Sequence, residues 1–536
     1  MKLNYNGIKD VAAWQRAGIA LPPYDPEALA RRTVADPRWA HFGIGNIFRI
    51  FVGSIADRLL RDGLMDRGIT CVETFDYDVV DKIYTPYDNL ALAVFLKADG
   101  TVDRQVLGPL SEAIKARSDD PAAWARLKAV FTAPGFQMAT FTITEKGYAL
   151  RNAGGAYFGY VQADMQNGPE QVTGAMGIVT AMLYARYLAG KYPLALVSMD
   201  NVARNGEKLR NSVMETAMVW RELGHVDQGF VDYVSDESVV SFPWTMIDKI
   251  TPRPSVEVAN ALEADGVEAM QPVITSKRTY IAPFVNAEGP QYLVVEDNFP
   301  NGRPPLEKAG VYMADRVTVN RSERMKVTAC LNPIHTALGP YDVLLGYALF
   351  ADGMSDPQLS VLADTVGYKE GLPVVEDPGI LSPRAFIDEV IHERFPNKYL
   401  GDTSMRICTD ISQGVAFRFG ETIKAYVAKD GTAKDLLGIP VAIAGWLRYL
   451  LAVDDAGNGY ALAPDPMDEE LTEQLKGIEV GKPETYAGQL RPILENVNIW
   501  GVDLYAVGLG EKIETIFREQ LAGPGAVRRT LVKYLG

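Results

Sequence analysis

Cysteine and histidine are scarce in this sequence of 536 residues. The three cysteines, Cys71, Cys330 and Cys408, lie far apart among apolar neighbours, and no two of the four histidines are close together. A disulfide framework or a zinc site needs paired spacings of these residues, and the sequence has none. We therefore expect reduced, buried thiols, a reducing compartment and no metal site.

Positive charge is also in short supply. There are 53 lysines and arginines against 68 aspartates and glutamates, which gives a formal net charge of −15. Nucleic acids and anionic membrane surfaces need an attractive field on the protein, so neither is an expected partner. A small anionic substrate is still compatible with this charge, but it would need a local cationic pocket.

Long apolar runs are absent as well. The longest, Ile439 to Val453, is interrupted by Arg448 and is too short to cross a bilayer. Residues 1–29 carry charges throughout and contain no apolar segment of secretory length. These features predict a cytoplasmic location with no membrane partner.

What is present is the composition of an ordinary globular protein, with 47% hydrophobic and 23% charged residues. A chain of this length is too long for one core, so two or three domains are expected. The first part alternates β-rich runs with helical periodicity, which is typical of a parallel sheet with crossover helices. The candidate strands are Ala40 to Ile44, Ile69 to Phe75, Ala91 to Lys97, Phe136 to Thr144, Leu194 to Met199 and Trp244 to Ile247.

The character of the chain changes at DNFPNGRPP, residues 297–305, which is rich in turn residues. Helical patterns dominate beyond it, at Ala337 to Ala351, Pro383 to Phe395, Thr422 to Ala428, Ile439 to Leu451 and Lys512 to Ala522. We expect an α/β fold with an extended Rossmann-type N-terminal domain, residues 1–300, followed by a mostly α-helical C-terminal domain, residues 301–536.

Polar pairs follow three of the candidate strands: Thr144-Glu145, Asp200-Asn201 and Asp248-Lys249. In open α/β sheets the ligand lies beyond the carboxyl ends of the strands, so these pairs indicate where a site would form. Each pair also has a simpler interpretation, because strands end in loops and loops are polar. Asn201 and Asp248 could equally be capping side chains.

A partial dinucleotide fingerprint occurs in HFGIGNIFRIF, residues 41–51. Gly43 suits the tight turn, and Gly45 suits close approach of the backbone to a pyrophosphate at a helix N-terminus. The third glycine of the fingerprint is missing. Arg49 could contact a phosphate oxygen, or it could be a solvated helix residue.

The fingerprint also requires an acidic residue after the second strand to hold the ribose hydroxyls. The segment VETFDYD offers Glu73, Asp76 and Asp78, somewhat later than the usual spacing. We favour Asp76. An acidic residue there predicts NAD rather than NADP, because it would repel a 2′-phosphate.

Three polar residues interrupt the apolar or small-residue run MKVTACLNPIHTAL, residues 325–338. Lys326, Asn332 and His335 could be satisfied polar side chains: a lysine that reaches solvent, a capping asparagine and a core histidine. They could also be the working groups of a site. The run by itself does not choose between these interpretations.

Several segments together resemble one family, the long-chain mannitol dehydrogenases and hexuronate reductases. The matching segments, in the family's order, are HFGIGNIFR, FTITEKGY, SMDNVARNG, TMIDKITP, VEDNFPNGRPP, KVTACLNPIHTAL and GDTSMRI. Within the family, VEDNFPNGRPPLEKAGVY and CLNPIHTAL are most like the branch that interconverts D-fructuronate and D-mannonate.

The resemblance implies a metal-independent, NAD-linked enzyme, with the substrate between a Rossmann domain and a helical domain. It implies Lys326 as general acid/base, with Asn332 and His335 orienting the reacting oxygen. Asn201, Asp248 and Arg406 would bind the substrate, although an arginine after GDTSM could equally be salt-bridged. Lys249 and Arg303 are further candidate partners for a carboxylate. The resemblance also implies a monomer acting on a small sugar acid.

The proposed chemistry suits these residue types. Reduction of a carbonyl by hydride needs a proton donor and groups that stabilise the developing negative charge. A lysine can supply the proton if its ammonium is desolvated or lies near another cation, and Asn and His can donate hydrogen bonds to the oxygen.

The spacing departs from the family, however. There the three residues usually stand at i, i+5 and i+8, whereas here they stand at i, i+6 and i+9. On a regular helix i+9 lies roughly 180° from i, so Lys326 and His335 would diverge. We expect a π-type bulge between Ala329 and Pro333 to absorb one residue. The alternative is Asn332 as an N-cap with Pro333 as the first helical residue.

Three alternatives to a fructuronate/mannonate enzyme stay open from the sequence. Tagaturonate reductase and mannitol-type polyol 2-dehydrogenase differ from it only in substrate configuration or in a carboxylate. The third, a nucleotide-binding sensor without catalysis, is suggested by the extra residue between Lys326 and Asn332.

Overall fold

The computed structural model describes every residue from Met1 to Gly536. The chain divides into two compact units, Met1–Leu96 with Thr101–Asn320, and Arg321–Gly536 with Lys97–Gly100. The division after Asn320 lies further along the chain than the boundary expected near residue 300. No helix has an apolar stretch long enough to cross a membrane.

The first unit contains all the strands. In chain order they are β1 Trp39–Phe42, β2 Ile69–Glu73, β3 Ala91–Leu96, β4 Val102–Leu107, β5 Leu110–Lys115, β6 Met138–Phe141, β7 Leu194–Ser198, β8 Val240–Ser241, β9 Thr245–Asp248, β10 Val273–Ile274, β11 Tyr280–Ile281, β12 Phe284–Glu288, β13 Tyr292–Glu296 and β14 Tyr312–Ala314.

Helices occur in both units. They are α1 Val11–Arg16, α2 Pro26–Ala35, α3 Gly53–Arg61, α4 Pro121–Thr132, α5 Thr144–Tyr148, α6 Gly159–Asn167, α7 Ala175–Gly190, α8 Asn205–Glu222, α9 Gln228–Ser235, α10 Val256–Ala264, α11 Arg316–Met325, α12 Asn332–Leu344, α13 Phe350–Gly353, α14 Pro357–Asp364, α15 Pro383–Glu389, α16 Ser404–Ile407, α17 Ile411–Val415, α18 Glu421–Asp430, α19 Gly438–Tyr449, α20 Asp468–Gln474, α21 Arg491–Leu494, α22 Val497–Trp500, α23 Gly510–Gln520 and α24 Ala526–Leu535.

Six strands form the main sheet of the first unit, in the order β5-β2-β1-β6-β7-β8. Every neighbouring pair is parallel. Counted along the chain within this sheet, the order is 3-2-1-4-5-6, which is the Rossmann arrangement. The order reverses between β1 and β6, so a ligand is expected beyond the carboxyl ends of these two strands.

Both faces of this sheet are buried. In β7, Leu194 and Leu196 pack into one hydrophobic cluster, while Ala195 and Val197 pack into another. This alternation follows from the two-residue period of a strand. Because helices cover both faces, the strand is apolar at successive positions instead of alternating with polar residues.

Two of the strands expected in the parallel sheet lie elsewhere. β3, predicted as Ala91 to Lys97, pairs in parallel with β12 and antiparallel with β4 in a separate three-stranded sheet. β9, predicted as Trp244 to Ile247, pairs antiparallel with β13, which in turn pairs with β14. The positions of these strands in the chain were predicted correctly, and their sheet was not.

The second unit is helical, as expected. All twelve residues of α19 are buried, so the helix lies in the core of the unit. π-helical turns extend or interrupt several of its helices, at Lys326–Cys330, Thr365–Gly371, Val390–Arg394 and Ala416–Gly420. The turns at Lys326–Cys330, Thr365–Gly371 and Ala416–Gly420 all pack against α12.

Candidate active site

The glycine turn after β1 has the geometry of a dinucleotide site. Gly43 has φ +85°, and a Cβ on it would lie 2.2 Å from the carbonyl oxygen of Thr142. Only glycine combines this backbone conformation with so close an approach. The turn therefore brings the end of β1 directly against the chain that leaves β6.

Gly45 differs from Gly43 because it has space around it. A Cβ on Gly45 would meet no atom within 4 Å. Helical structure begins at Asn46 and passes through the π-turn Phe48–Val52 into α3. Open space beside a glycine backbone at a helix N-terminus fits the approach of a pyrophosphate, and these residues therefore fit a dinucleotide.

Arg49 is buried, with only 1% of its surface exposed. Its Nη1 donates to the carbonyl of Ala282 at 2.7 Å, and its Nη2 donates to Asn46 at 2.7 Å. Burial lowers the pKa of Arg49 to about 10. The interpretation as a solvated helix residue is therefore wrong. Nη2 thus bonds to the first residue of the helix and Nη1 to the segment before β12, and a phosphate contact stays a prediction.

The acidic residues after β2 are all engaged in hydrogen bonds. Glu73, the last residue of β2, accepts from the backbone of Thr74, Phe75 and Asp76, at distances from 2.9 to 3.1 Å. Its other oxygen accepts from the backbone of Ile44 at 3.4 Å, within the glycine turn. Burial raises the pKa of Glu73 against the opposing effect of these hydrogen bonds.

Asp76, the favoured ribose partner, is buried. Its Oδ2 accepts from the hydroxyls of Thr275 and Thr279, which flank the tip of the β10–β11 hairpin. Its Oδ1 is buried without a partner. Asp78 accepts from the backbone of Ser276 at 2.8 Å in the same tip. Both aspartates thus anchor this hairpin, and a ribose contact by Asp76 stays a prediction.

A strained residue follows β6, where the strand order reverses. Thr144 has φ +63°, which is rare for a β-branched residue. Asp200, after β7, accepts from the backbone of Ile143 and Thr144 and from the hydroxyl of Tyr148 at 2.6 Å. Strain of this kind concentrates at functional sites, where surrounding contacts maintain it.

Asn201 and Asp248 lie in the first unit in different surroundings. Asn201 is exposed in the loop after β7, at the carboxyl edge of the main sheet. Asp248 is half-buried at the end of β9. Because β9 belongs to the sheet with β13 and β14, the expectation that Asp248 lies at the same sheet edge as Asn201 is wrong. Asn205, which the sequence did not single out, links the two loops through its amide, which donates to Asp200 and Thr245 carbonyls.

Lys326 is the first residue of a π-turn and is buried, with 2% exposed. The backbone N–H of Leu331 donates to the carbonyl of Lys326 at 3.1 Å, an i to i+5 bond. The π-turn expected at Ala329 to Pro333 is therefore present, but it lies earlier, at Lys326–Cys330. The alternative expectation placed Asn332 as the N-cap and Pro333 as the first helical residue. It was correct in part, because Pro333 occupies the first turn of α12.

This turn has a direct consequence for the three candidate residues. A π-turn takes up one extra residue, so by residue count alone His335 would stand relative to Lys326 as an i+8 residue does on a regular helix, roughly 80° away. Leu331, between the π-turn and α12, has a non-helical backbone, with φ −134° and ψ −65°. Without the turn the angle would be roughly 180°. By this count the π-turn compensates for the extra residue, and the convergence of Lys326 and His335 stays a prediction.

His335 is half-buried between two aromatic rings. The ring of Phe395 stacks on it, with centroids 5.2 Å apart, and Phe350 meets it edge-on at 4.7 Å. Asn332 is half-buried, one turn before His335. Packing of this kind fixes the ring orientation of a histidine and leaves its nitrogens to polar partners. No local pattern marked these two phenylalanines, because they lie in other segments of the chain.

Arg406 is exposed and forms a bidentate ion pair with Asp402. The interpretation as a salt-bridged helix residue therefore describes its contacts, and a substrate contact stays a prediction. Arg303 is paired with Asp297 at 2.8 Å and with Glu307 at 2.7 Å. Lys249 donates to the Glu288, Gly289 and Pro290 carbonyls.

Asp342 lies on α12 beyond His335 and is almost completely buried. Neither of its oxygens makes a hydrogen bond of normal geometry, and the Ser404 side chain opposes only part of the effect of burial on the pKa of Asp342. Burial, reinforced by Asp356, raises the pKa of Asp342 to about 9. The side chain is therefore a neutral acid near pH 7, within the same helix as the candidate site.

Replacing Asp342 by asparagine tests this protonation state. Between the unfolded pKa near 3.8 and the folded pKa of about 9, the folded protein holds a proton that the unfolded chain has released. Wild-type stability must then fall as pH rises, by about 1.4 kcal/mol per pH unit for this group. We expect Asp342→Asn to gain about 4 kcal/mol relative to wild type between pH 5 and pH 8.

Urea unfolding at the two pH values measures this gain. The exposed substitution Asp430→Asn is the matched control and should show no pH-dependent difference from wild type. An equal stability difference between Asp342→Asn and wild type at both pH values would show that Asp342 is ionised in the folded protein.

No group of three or more His, Cys, Asp and Glu side chains is arranged to hold a metal ion.

Comparison with known proteins decides the family. Residues 37–308 match the family model of the mannitol dehydrogenase Rossmann domain, and residues 318–518 match that of the mannitol dehydrogenase C-terminal domain. This chain belongs to the mannitol dehydrogenase family. It is accordingly an oxidoreductase that acts on a CH–OH group.

Relatives within the family differ in their substrates. D-mannonate oxidoreductase of Thermotoga maritima is 49% identical over 539 aligned residues, which cover 100% of this chain and 99% of that protein. Polyol:NADP oxidoreductase of Gluconobacter oxydans is 29% identical and covers 86% of this chain and 88% of its own.

Two solved structures of the family share this fold. Mannitol 2-dehydrogenase of Pseudomonas fluorescens, in a ternary complex with NAD and D-mannitol, has a TM-score of 0.70 at 25% identity and covers 99% of both chains. A substrate-free D-sorbitol dehydrogenase has a TM-score of 0.77 at 26% identity, over 95% of this chain and 98% of its own.

Proposed function

We propose that this protein is an NAD-dependent oxidoreductase that interconverts D-fructuronate and D-mannonate. The observation that supports this most strongly is the 49% identity, over the full chain, to a D-mannonate oxidoreductase. The protein works on a small sugar acid, as a monomer in the cytoplasm.

The cofactor is NAD, and the first unit holds it. Gly43 shapes the turn, Gly45 leaves space for the pyrophosphate, and the helix that begins at Asn46 directs backbone N–H groups toward it. When bound, NAD supplies the nicotinamide carbon that accepts or donates a hydride. Asp76 is the proposed ribose partner and Arg49 the proposed phosphate partner, both from their positions in the dinucleotide fingerprint.

Lys326 is the general acid/base. In the reducing direction its ammonium gives a proton to the C2 carbonyl oxygen of the ketose as the hydride arrives at C2. In the oxidising direction the neutral amine removes the proton of the C2 hydroxyl. Lys326 is buried, and a desolvated ammonium releases its proton more readily than a hydrated one.

Asn332 and His335 hold the reacting oxygen by donating hydrogen bonds, which strengthen as negative charge develops on it. The π-turn at Lys326–Cys330 supports these roles because it absorbs the one residue by which the spacing from Lys326 to His335 exceeds that of the family. Asn201, Asp248 and Arg406 are the proposed contacts for the remaining hydroxyls of the sugar.

A polyol 2-dehydrogenase is the second candidate function. The full-length similarity to a mannitol 2-dehydrogenase structure supports it, since that enzyme has the same fold and was solved with a neutral polyol. The two candidates differ in whether the pocket must neutralise a carboxylate.

The test follows NADH absorbance with purified protein offered D-fructuronate, D-tagaturonate or D-fructose in parallel, each repeated with NADPH. We expect oxidation of NADH with D-fructuronate at a kcat/KM at least about 100-fold above that with D-fructose, because a lost ion pair costs several kcal/mol. A preference for D-fructose would establish the polyol candidate. Binding of NADH without turnover of any sugar would favour a sensor.

A further inference from the structure

Arg418 lies beside the proposed catalytic helix. It belongs to the π-turn Ala416–Gly420, which packs against both the π-turn Lys326–Cys330 and α12. Its Nη1 donates to the hydroxyl of Thr336 at 2.9 Å, and Thr336 is the residue next to His335. The guanidinium is therefore held against α12 at the residue that follows His335 in the chain, and His335 is a group proposed to hold the reacting oxygen.

The charge of Arg418 has no carboxylate partner. The guanidinium donates a hydrogen bond to the Thr336 hydroxyl. Burial lowers the pKa of Arg418, and the negative charge of Asp410 offsets only part of that effect, but the two side chains form no ion pair. A guanidinium has five N–H donors, and buried or half-buried arginines are usually paired. Arg406 and Arg324, in the same unit, both have carboxylate partners.

Gly414 makes room for this guanidinium. A Cβ at Gly414 would lie 2.5 Å from both Cζ and Nε of Arg418. The guanidinium thus lies against the backbone of α17 on one side and is held by Thr336 on another. A cation that is positioned by its surroundings, and not by an acidic partner, loses little entropy when it binds an anion.

We propose that Arg418 binds the carboxylate of the sugar-acid substrate and thereby selects a uronate over a neutral ketose. This inference rests on the proposed function, because it requires a substrate with a carboxylate. The planar guanidinium matches a carboxylate in bidentate geometry. With a net charge of −15 the protein repels anions at long range, so a local cation of this kind is required.

The test compares wild type with Arg418→Met in steady-state assays at saturating NADH, with D-fructuronate and with D-fructose. We expect KM for D-fructuronate to rise about 10- to 100-fold, as for loss of a charge-assisted hydrogen bond, with kcat changed less. The rate with D-fructose should not fall. Arg418→Lys should recover part of the loss, because it restores the charge without the bidentate fork.

Two further variants move the guanidinium without removing it. Thr336→Val deletes the hydroxyl that positions Arg418, and Gly414→Ala places a methyl group where the guanidinium lies. Each should raise KM for D-fructuronate by about 3- to 10-fold, as for one neutral hydrogen bond. Arg529→Met, at an exposed site in α24, is the matched control and should behave as wild type.

The outcomes separate the two proposals. If wild type reduces D-fructuronate and Arg418→Met keeps its KM, the assignment of Arg418 is wrong while the proposed function stands. If wild type shows no turnover of D-fructuronate, the proposed function fails first. If Arg418→Met does not fold, unchanged KM values in both Thr336→Val and Gly414→Ala overturn the inference.

Discussion

Lys326→Met should lower kcat with D-fructuronate by about 1,000- to 10,000-fold, because it removes the group that transfers the proton. The thioether is similar in length to the lysine stem and suits a buried position, so the fold should persist. Stopped-flow or steady-state loss of NADH absorbance measures the rate. Equilibrium binding of NADH, followed by its fluorescence, should be unchanged.

Lys326→Arg makes this prediction specific to proton transfer. Arginine keeps the positive charge but does not release its proton at any accessible pH, so this variant should be as slow as Lys326→Met. The exposed substitution Lys429→Met is the control and should retain wild-type activity. Substantial activity in Lys326→Arg would mean that the charge matters and that another group transfers the proton.

Gly45→Leu should weaken NADH binding by at least about 100-fold, while the thermal unfolding midpoint stays close to that of wild type. The reason is the open space around Gly45, where a side chain meets no protein atom but would occupy the proposed position of the pyrophosphate. Isothermal titration with NADH, combined with thermal unfolding, measures both quantities. Gly159→Leu, at another glycine with open surroundings, is the control and should bind NADH normally.

Gly43→Ala should lower the stability of the protein, in contrast to Gly45→Leu, which should weaken NADH binding at nearly unchanged stability. Its Cβ would lie 2.2 Å from the carbonyl oxygen of Thr142, in a backbone conformation that alanine disfavours. We expect the free energy of unfolding to fall by about 3 kcal/mol or more. If Gly43→Ala were as stable as wild type, the close contact with Thr142 would not constrain the turn. If Gly45→Leu bound NADH normally, the glycine turn would not be the cofactor site.

Much of the architecture follows from local patterns. The apolar runs at β1, β2, β6 and β7 and the helical patterns at α18, α19 and α23 match the structure to within a few residues at either end. Strands and helices differ in period, and that difference is readable in a short window. The membership of β3 and β9 in separate sheets was not readable, because it depends on pairing with β12 and β13, which lie far away in the chain.

The spacing of the candidate catalytic residues was informative for a related reason. One extra residue between Lys326 and Asn332 requires a local irregularity if the side chains are to stay on one side of the helix, and a π-turn is the helical irregularity that absorbs one residue. The sequence left the position of the π-turn open, since Pro333 could either cause the irregularity or begin a new helix. In the structure Pro333 lies in the first turn of a new helix, α12, and the π-turn Lys326–Cys330 precedes it.

The sequence by itself determined β1, β2, β6 and β7, the helices α18, α19 and α23, the glycine turn and the family, because each depends on residues that are near one another in the chain. Only the tertiary structure decided the partners of the charged residues. Arg49 donates to Ala282, 233 positions away, and Asp76 accepts from Thr275, 199 positions away. Arg418, which no local pattern marked, stands without a carboxylate beside Thr336, 82 positions away. The sequence gives the charge of each side chain, but the groups that pair with that charge come from distant parts of the chain and meet it only in the folded protein.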